Sequence, residues 1–134
     1  MPKPSPTVFI SYAHADKAQV DGIKRLLGEM KVRYVSDDSL APGEEWDKQL
    51  TKSLAESDYF IACISPNYLS SEWANFELGM ALGRESVTAS KVVPLLLRPT
   101  SMPNVLKRHQ LIDAGKGSNH TVRQQLTEAL QLAS

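Results

Sequence analysis

TVFISYAHADKAQVDGIKRLLGEMKVRYVS, residues 7–36, is the stretch that decides the fold. Its first six residues are apolar and β-rich with no polar alternation, the pattern of a strand buried on both faces. A helix follows. Asp16 is placed to cap it, and Val20, Ile23, Leu26, Leu27 and Met30 recur at helical spacing. VRYVS, residues 32–36, reads as a second strand. A buried strand, an amphipathic helix and another strand make the unit from which parallel sheets are built.

The unit recurs downstream. DDSLAPGEEW, residues 37–46, is a loop punctuated by Pro42-Gly43, and Trp46, Leu50 and Leu54 mark a helix ending near Ser57. DYFIACIS (58–65) is a third strand and PNYLS (66–70) a turn. SSEWANFELGMALGRE (70–85) is a helix starting near Ser70 or Ser71, with Glu72 favouring the dipole of its first turn. KVVPLLLRP (91–99) is a fourth strand, and TSMPNVLKRHQ (100–110) is irregular. LID (111–113) is a short fifth strand, and NHTVRQQLTEALQLA (119–133) is a closing helix capped by Asn119 or Thr121. The expected fold is α/β: a flavodoxin-like three-layer sandwich around a parallel five-stranded sheet of order 2-1-3-4-5.

Composition narrows the function. The 134 residues suit one domain, and 42% hydrophobic with 22% charged residues is ordinary for a globular chain. Zero formal net charge gives no general attraction to nucleic acid or an anionic membrane, so neither is expected as a direct partner. No apolar stretch approaches the roughly 20 residues that span a bilayer. MPKPSP at the start reads as a short disordered leader and lacks the apolar segment of a signal peptide. Cys63, the single cysteine, allows no intrachain disulfide and points to a reducing compartment, the cytoplasm. His14, His109 and His120 lie far apart in sequence, so no metal site is expected.

In the expected strand order, ligands bind beyond the carboxyl ends of strands 1 and 3. Ser11-Tyr12-Ala13-His14 follows strand 1, and Ser65-Pro66-Asn67-Tyr68 follows strand 3. The Asp37–Glu45 loop follows strand 2 and lies where it can cover the crevice. The next helix carries Glu77 among Trp73, Ala74, Phe76, Leu78, Met80 and Ala81, and supplies no cation at i±3 or i±4. The bland alternative is a solvated glutamate at the helix edge. Trp73, one turn earlier, is either a core aromatic or a wall for a ligand. Gly79 and Gly83 each cost roughly 1 kcal/mol against alanine, which suggests close approach of the helix backbone to the sheet or to a neighbouring subunit. His14 is read as exposed and without a role. The strand ends ISYA and CISP lack the acidic residues of a response-regulator receiver, and neither a G-x-G-x-x-G motif nor a P-loop is present.

Three motifs in order resemble TIR (Toll/interleukin-1 receptor) domains. VFISYAHAD is similar to their first-strand box, and DDSLAPGEEW to their second box with its Pro-Gly. SEWANFEL is similar to the W-x-x-x-E segment that carries the catalytic glutamate of the NAD-cleaving members. The resemblance covers roughly residues 7–132 and, lacking long insertions, is to bacterial or archaeal members; residues 7–134 are taken as one TIR domain, the N-terminal module of a longer protein being one possibility. LKRHQL stands where animal receptor TIR domains carry a Phe-Trp box. The resemblance implies an NAD+ glycohydrolase that releases nicotinamide and leaves ADP-ribose or a cyclic isomer, with NAD+ as substrate and no cofactor. It assigns Glu77 as catalytic, and Ser11, Tyr12, Asp38, Ser65 and Trp73 to the substrate. Ser39, Leu40, Pro42 and Gly43 belong to a gating and assembly loop. It further implies association with other TIR domains as a homo-oligomer or filament, activation by a fused or separate sensor, and a role in antiviral defence. The alternative is a non-catalytic TIR–TIR interaction module. A nucleoside deoxyribosyltransferase-like activity, which shares the architecture, is disfavoured by the TIR boxes.

Overall fold

The computed structural model describes residues 6–36, 46–115 and 118–132, without the side chains of Trp46 and Asp47. Five strands form one parallel sheet: β1 (Thr7–Ser11), β2 (Arg33–Ser36), β3 (Tyr59–Ile64), β4 (Lys91–Leu96) and β5 (Ile112–Asp113). Their order is β2-β1-β3-β4-β5, as expected from the sequence. The helices are α1 (Lys17–Glu29), α2 (Trp46–Glu56), α3 (Pro66–Ser70), α4 (Glu72–Glu85) and α5 (Asn119–Ala129). None of the described helices is long and apolar enough to cross a membrane.

Side chains alternate across the strands, and both faces are covered. Val8, Ile10 and Tyr12, with Tyr59, Ile61 and Cys63, pack against Val20, Ile23, Leu26 and Leu27 of α1 and Val122, Leu126 and Ala129 of α5. Phe9, with Phe60, Ala62 and Ile64, faces Leu50 and Leu54 of α2, Tyr68 of α3, and Ala74, Leu78 and Ala81 of α4. Phe9 pairs with Phe60 across the two central strands, their rings stacked at 5.6 Å. Such a pair adds about 0.5–1.5 kcal/mol beyond the area it buries.

Several local expectations change. PNYLS is the short helix α3, not a turn: Ser65 caps it, with its Oγ accepting from the Tyr68 N–H at 3.0 Å, and Pro66 opens it. A serine followed by proline is the signal for such a start. Ser118, rather than Asn119 or Thr121, caps α5. Asp16 stands at the N-cap of α1, but its side chain makes no cap bond. Strand β4 stops at Leu96, short of the expected 99. Gly79 and Gly83 do not approach the sheet, since a Cβ at either would meet nothing within 4 Å.

Two predictions arise here. Helix α1 ends with Lys31 at φ 60°, its N–H bonded to Gly28 O and the Val32 N–H to Leu27 O, each at 3.0 Å. This left-handed position is one that glycine occupies without a steric penalty. Lys31→Gly is expected to stabilise the fold by about 0.5–1 kcal/mol, read as a rise in melting temperature. Cys63 lies fully buried, and burial, aided by the negative charge of Asp16, pushes its thiol up to about 12. At pH 8 native Cys63 should react with a thiol reagent about 10²-fold or more slowly than in denaturant, so labelling reports global opening. Equal rates would show that β3 opens readily.

Candidate functional site

Helix α4 is positioned from its first turn. Ser71 caps it, its Oγ accepting from the Ala74 N–H at 3.1 Å. Asn75 Nδ2 donates to Tyr68 O, Leu69 O and Ser71 O at 3.4, 3.1 and 2.8 Å, fixing the corner between α3 and α4. Ala74 and Ala81 lie at i−3 and i+4 from Glu77, on its side of the helix. Their small side chains let α4 sit close to the sheet, and all three residues are buried.

Glu77 is 0% exposed, which excludes the solvated helix-edge glutamate. Its Oε1 accepts a hydrogen bond from Ser11 Oγ at 2.8 Å. Ser11 is the last residue of β1, and its Oγ also lies 2.9 Å from the Tyr68 hydroxyl. Ser11 and Tyr68 are likewise 0% exposed. A carboxylate and two hydroxyls thus meet where the ends of β1 and β3 adjoin, at the reversal of strand order. A carboxylate there can stabilise a developing positive charge in a setting poor in water, where such interactions are strongest.

A second polar cluster adjoins it. Asp16, 4% exposed, accepts a short hydrogen bond from Ser65 Oγ, one from Asn67 Nδ2 at 2.8 Å and one from Arg98 Nη2 at 2.7 Å. These bonds join the start of α1, the end of β3 and the chain beyond β4. A buried carboxylate held by three donors satisfies the requirement that buried charge be paired.

Of the residues expected at the site, Glu77 and Ser11 touch each other. Ser65 lies one step away, bonded to Asp16 and to the backbone of Tyr68. Tyr12 points to the other face of the sheet, into the cluster under α1 and α5, with Lys24 Nζ 4.9 Å from its ring centroid. Trp73 lies half-buried at the edge of α4, its ring 5.3 Å from that of Phe76. Asp38, Ser39, Leu40, Pro42 and Gly43 fall outside the described residues. His14 is exposed. The sequence placed Asn67 and Tyr68 in a segment at the crevice without giving either a contact, and it missed Asp16 and Arg98 as parts of these clusters. A Ser-Pro pair directly after a buried strand is the signal that would have put Tyr68 in a capped first turn.

A doubly wound parallel domain with a buried glutamate at its switch point defines the class. The family model described as TIR domain matches residues 8–130, and the chain belongs to that family. It is 31% identical over 94 residues to "NAD(+) hydrolase PdTIR" of Paracoccus denitrificans, a match that covers 69% of this chain and 31% of that protein. The chain spans under a third of the length of the curated relatives it matches. Among solved structures, the TIR domain of the Toll-related receptor TRR-2 of Hydra magnipapillata superposes with a TM-score of 0.78 at 18% identity, covering 92% of this chain and 97% of that one. The CMP N-glycosidase BcmB of Clostridium botulinum superposes with a TM-score of 0.63, also at 18% identity, covering 91% and 98%. At such identities the likeness is one of fold.

Proposed function

We propose that this domain is an NAD+ glycohydrolase that releases nicotinamide and leaves ADP-ribose or a cyclic isomer. The observation that carries the reading is Glu77: a fully buried carboxylate, aimed at the end of β1 and held by Ser11. The relative named as an NAD(+) hydrolase supports the substrate. In the proposed reaction one carboxylate is enough. Nicotinamide leaves from a cationic glycosidic nitrogen and needs no general acid. The ribose passes through an oxocarbenium-like state that a nearby negative charge stabilises. Trp73, one turn from Glu77, packs against the nicotinamide or the ribose; Asp38 is assigned to the substrate, and Ser39, Leu40, Pro42 and Gly43 to gating and assembly. Tyr12 is assigned to the crevice through its backbone and loop, since its ring is in the core.

In this reading the domain works in the cytoplasm, in antiviral defence. It associates with other TIR domains under a sensor, and association completes the pocket. A second reading, a module that binds TIR domains without chemistry, draws on two exposed apolar side chains on and just after α4, Phe76 and Val87.

The deciding experiment incubates the purified chain with NAD+ across a dilution series and with forced oligomerisation, identifying products by mass. Nicotinamide and ADP-ribose, or its cyclic isomer, are expected, with more product per molecule as the protein associates. Intact NAD+ under every condition would overturn the enzymatic reading.

A further inference from the structure

The contacts around Glu77 have a direction. Ser11 Oγ donates to Glu77 Oε1, and the Tyr68 hydroxyl lies within hydrogen-bond distance of the same serine oxygen. A serine hydroxyl has one proton. With the carboxylate ionised, that proton points to Glu77, so the bond between the two hydroxyls is donated by Tyr68. The order is then Tyr68 O–H to Ser11 O–H to carboxylate. Each donor polarises the next where solvent does not compete, since all three side chains are fully buried.

We infer that Ser11 and Tyr68 are positioning residues that hold the Glu77 carboxylate for its reaction, and that α3 is built to present the Tyr68 hydroxyl. The inference rests on the reading of Glu77 as the reacting group. It moves Ser11 from the substrate to the carboxylate. A helix of five residues has no stability of its own, so something outside must hold it. Here it is held at both ends. Ser65 caps its start and is itself fixed to Asp16, Asn67 in its first turn bonds the same Asp16, and Asn75 of α4 takes up the Tyr68 and Leu69 carbonyls at its end. Tyr68 is thereby pinned from the start of α1, the end of β3 and the first turns of α4. These are more fixed points than a turn needs merely to join β3 to α4.

The test compares the full chain with Tyr68→Phe, Ser11→Ala and Glu77→Gln. Each of the first two removes only a hydroxyl, and melting curves confirm folding. Steady-state NAD+ cleavage should show kcat lower by about 10-fold for Tyr68→Phe and about 10²-fold for Ser11→Ala, with KM within about twofold of wild type. Infrared difference spectra against Glu77→Gln isolate the Glu77 carboxylate stretch. That band should move in both variants, further in Ser11→Ala. A raised KM with unchanged kcat would show the hydroxyls to be substrate contacts and overturn the inference, as would carboxylate bands superimposable on wild type. If the wild-type chain releases no nicotinamide, or Glu77→Gln releases it at the wild-type rate, the glycohydrolase reading falls instead. The infrared comparison then decides only whether the two hydroxyls hold the carboxylate, and their part in a reaction falls with that reading.

Discussion

Glu77→Gln is expected to slow nicotinamide release by about 10²-fold or more, while the melting temperature stays near that of wild type. The amide keeps the shape of the carboxylate, and its oxygen can still accept from Ser11, which lies 2.8 Å from Oε1. On the proposed reading, what is lost is the carboxylate charge that faces the developing cation. In a buried setting that charge is worth several kcal/mol, and each 1.36 kcal/mol is tenfold in rate. Stability has no comparable stake, because exchanging a buried ion for a neutral amide removes a desolvation cost along with any favourable pairing. The measurement is initial-rate NAD+ cleavage beside thermal melting. Wild-type cleavage by a folded Glu77→Gln protein would remove Glu77 from the reaction.

The second large effect is on folding. Asp16→Ala should destabilise the domain by about 3 kcal/mol, lowering the melting temperature by roughly 10 °C, as judged by denaturant titration and thermal melting. The aspartate side chain is 1% exposed and accepts from Ser65, Asn67 and Arg98. Arg98 is half exposed and can turn to water, but Ser65 and Asn67 lose partners at the point where β3 hands over to α3. Asp16→Asn, which keeps the acceptor and loses the charge, should cost less than the alanine variant. A loss below about 0.5 kcal/mol for Asp16→Ala would mean that water or neighbouring groups replace all three bonds.

The sheet was readable in the sequence because its evidence is local. Unalternated apolar runs at β1, β3 and β4, with helical periods after β1 and β3, specify buried parallel strands whatever their neighbours are. The place of Glu77 followed from that order, since the helix after the third strand of a 2-1-3-4-5 sheet flanks the switch point. The polar clusters were hidden for the converse reason. Asp16 meets Ser65, Asn67 and Arg98 across separations of 49, 51 and 82 residues, and nothing local marks it as other than a helix cap. Tyr12 illustrates a limit of another kind. Alternation puts it on the face of Val8 and Ile10, and Ser11 on that of Phe9, but a strand buried on both sides does not say which face adjoins the site. Tyr68 was placed after strand 3 but given no role, because a five-residue helix carries too few residues to display a period that shows which way a side chain faces.

The burial of Glu77 bears on what a resting molecule does to its surroundings. On the proposed reading, a reacting group with 0% exposure meets substrate only in the fraction of time the chain spends open. If opening costs about 4 kcal/mol, that fraction is roughly one in a thousand, and the proposed background cleavage of NAD+ falls by the same factor. In that reading association must favour the open form, and the ratio of its affinities for the open and closed forms sets the ceiling on how far the output can rise above the leak. Safety and responsiveness become one quantity, fixed by how firmly a single side chain is closed away.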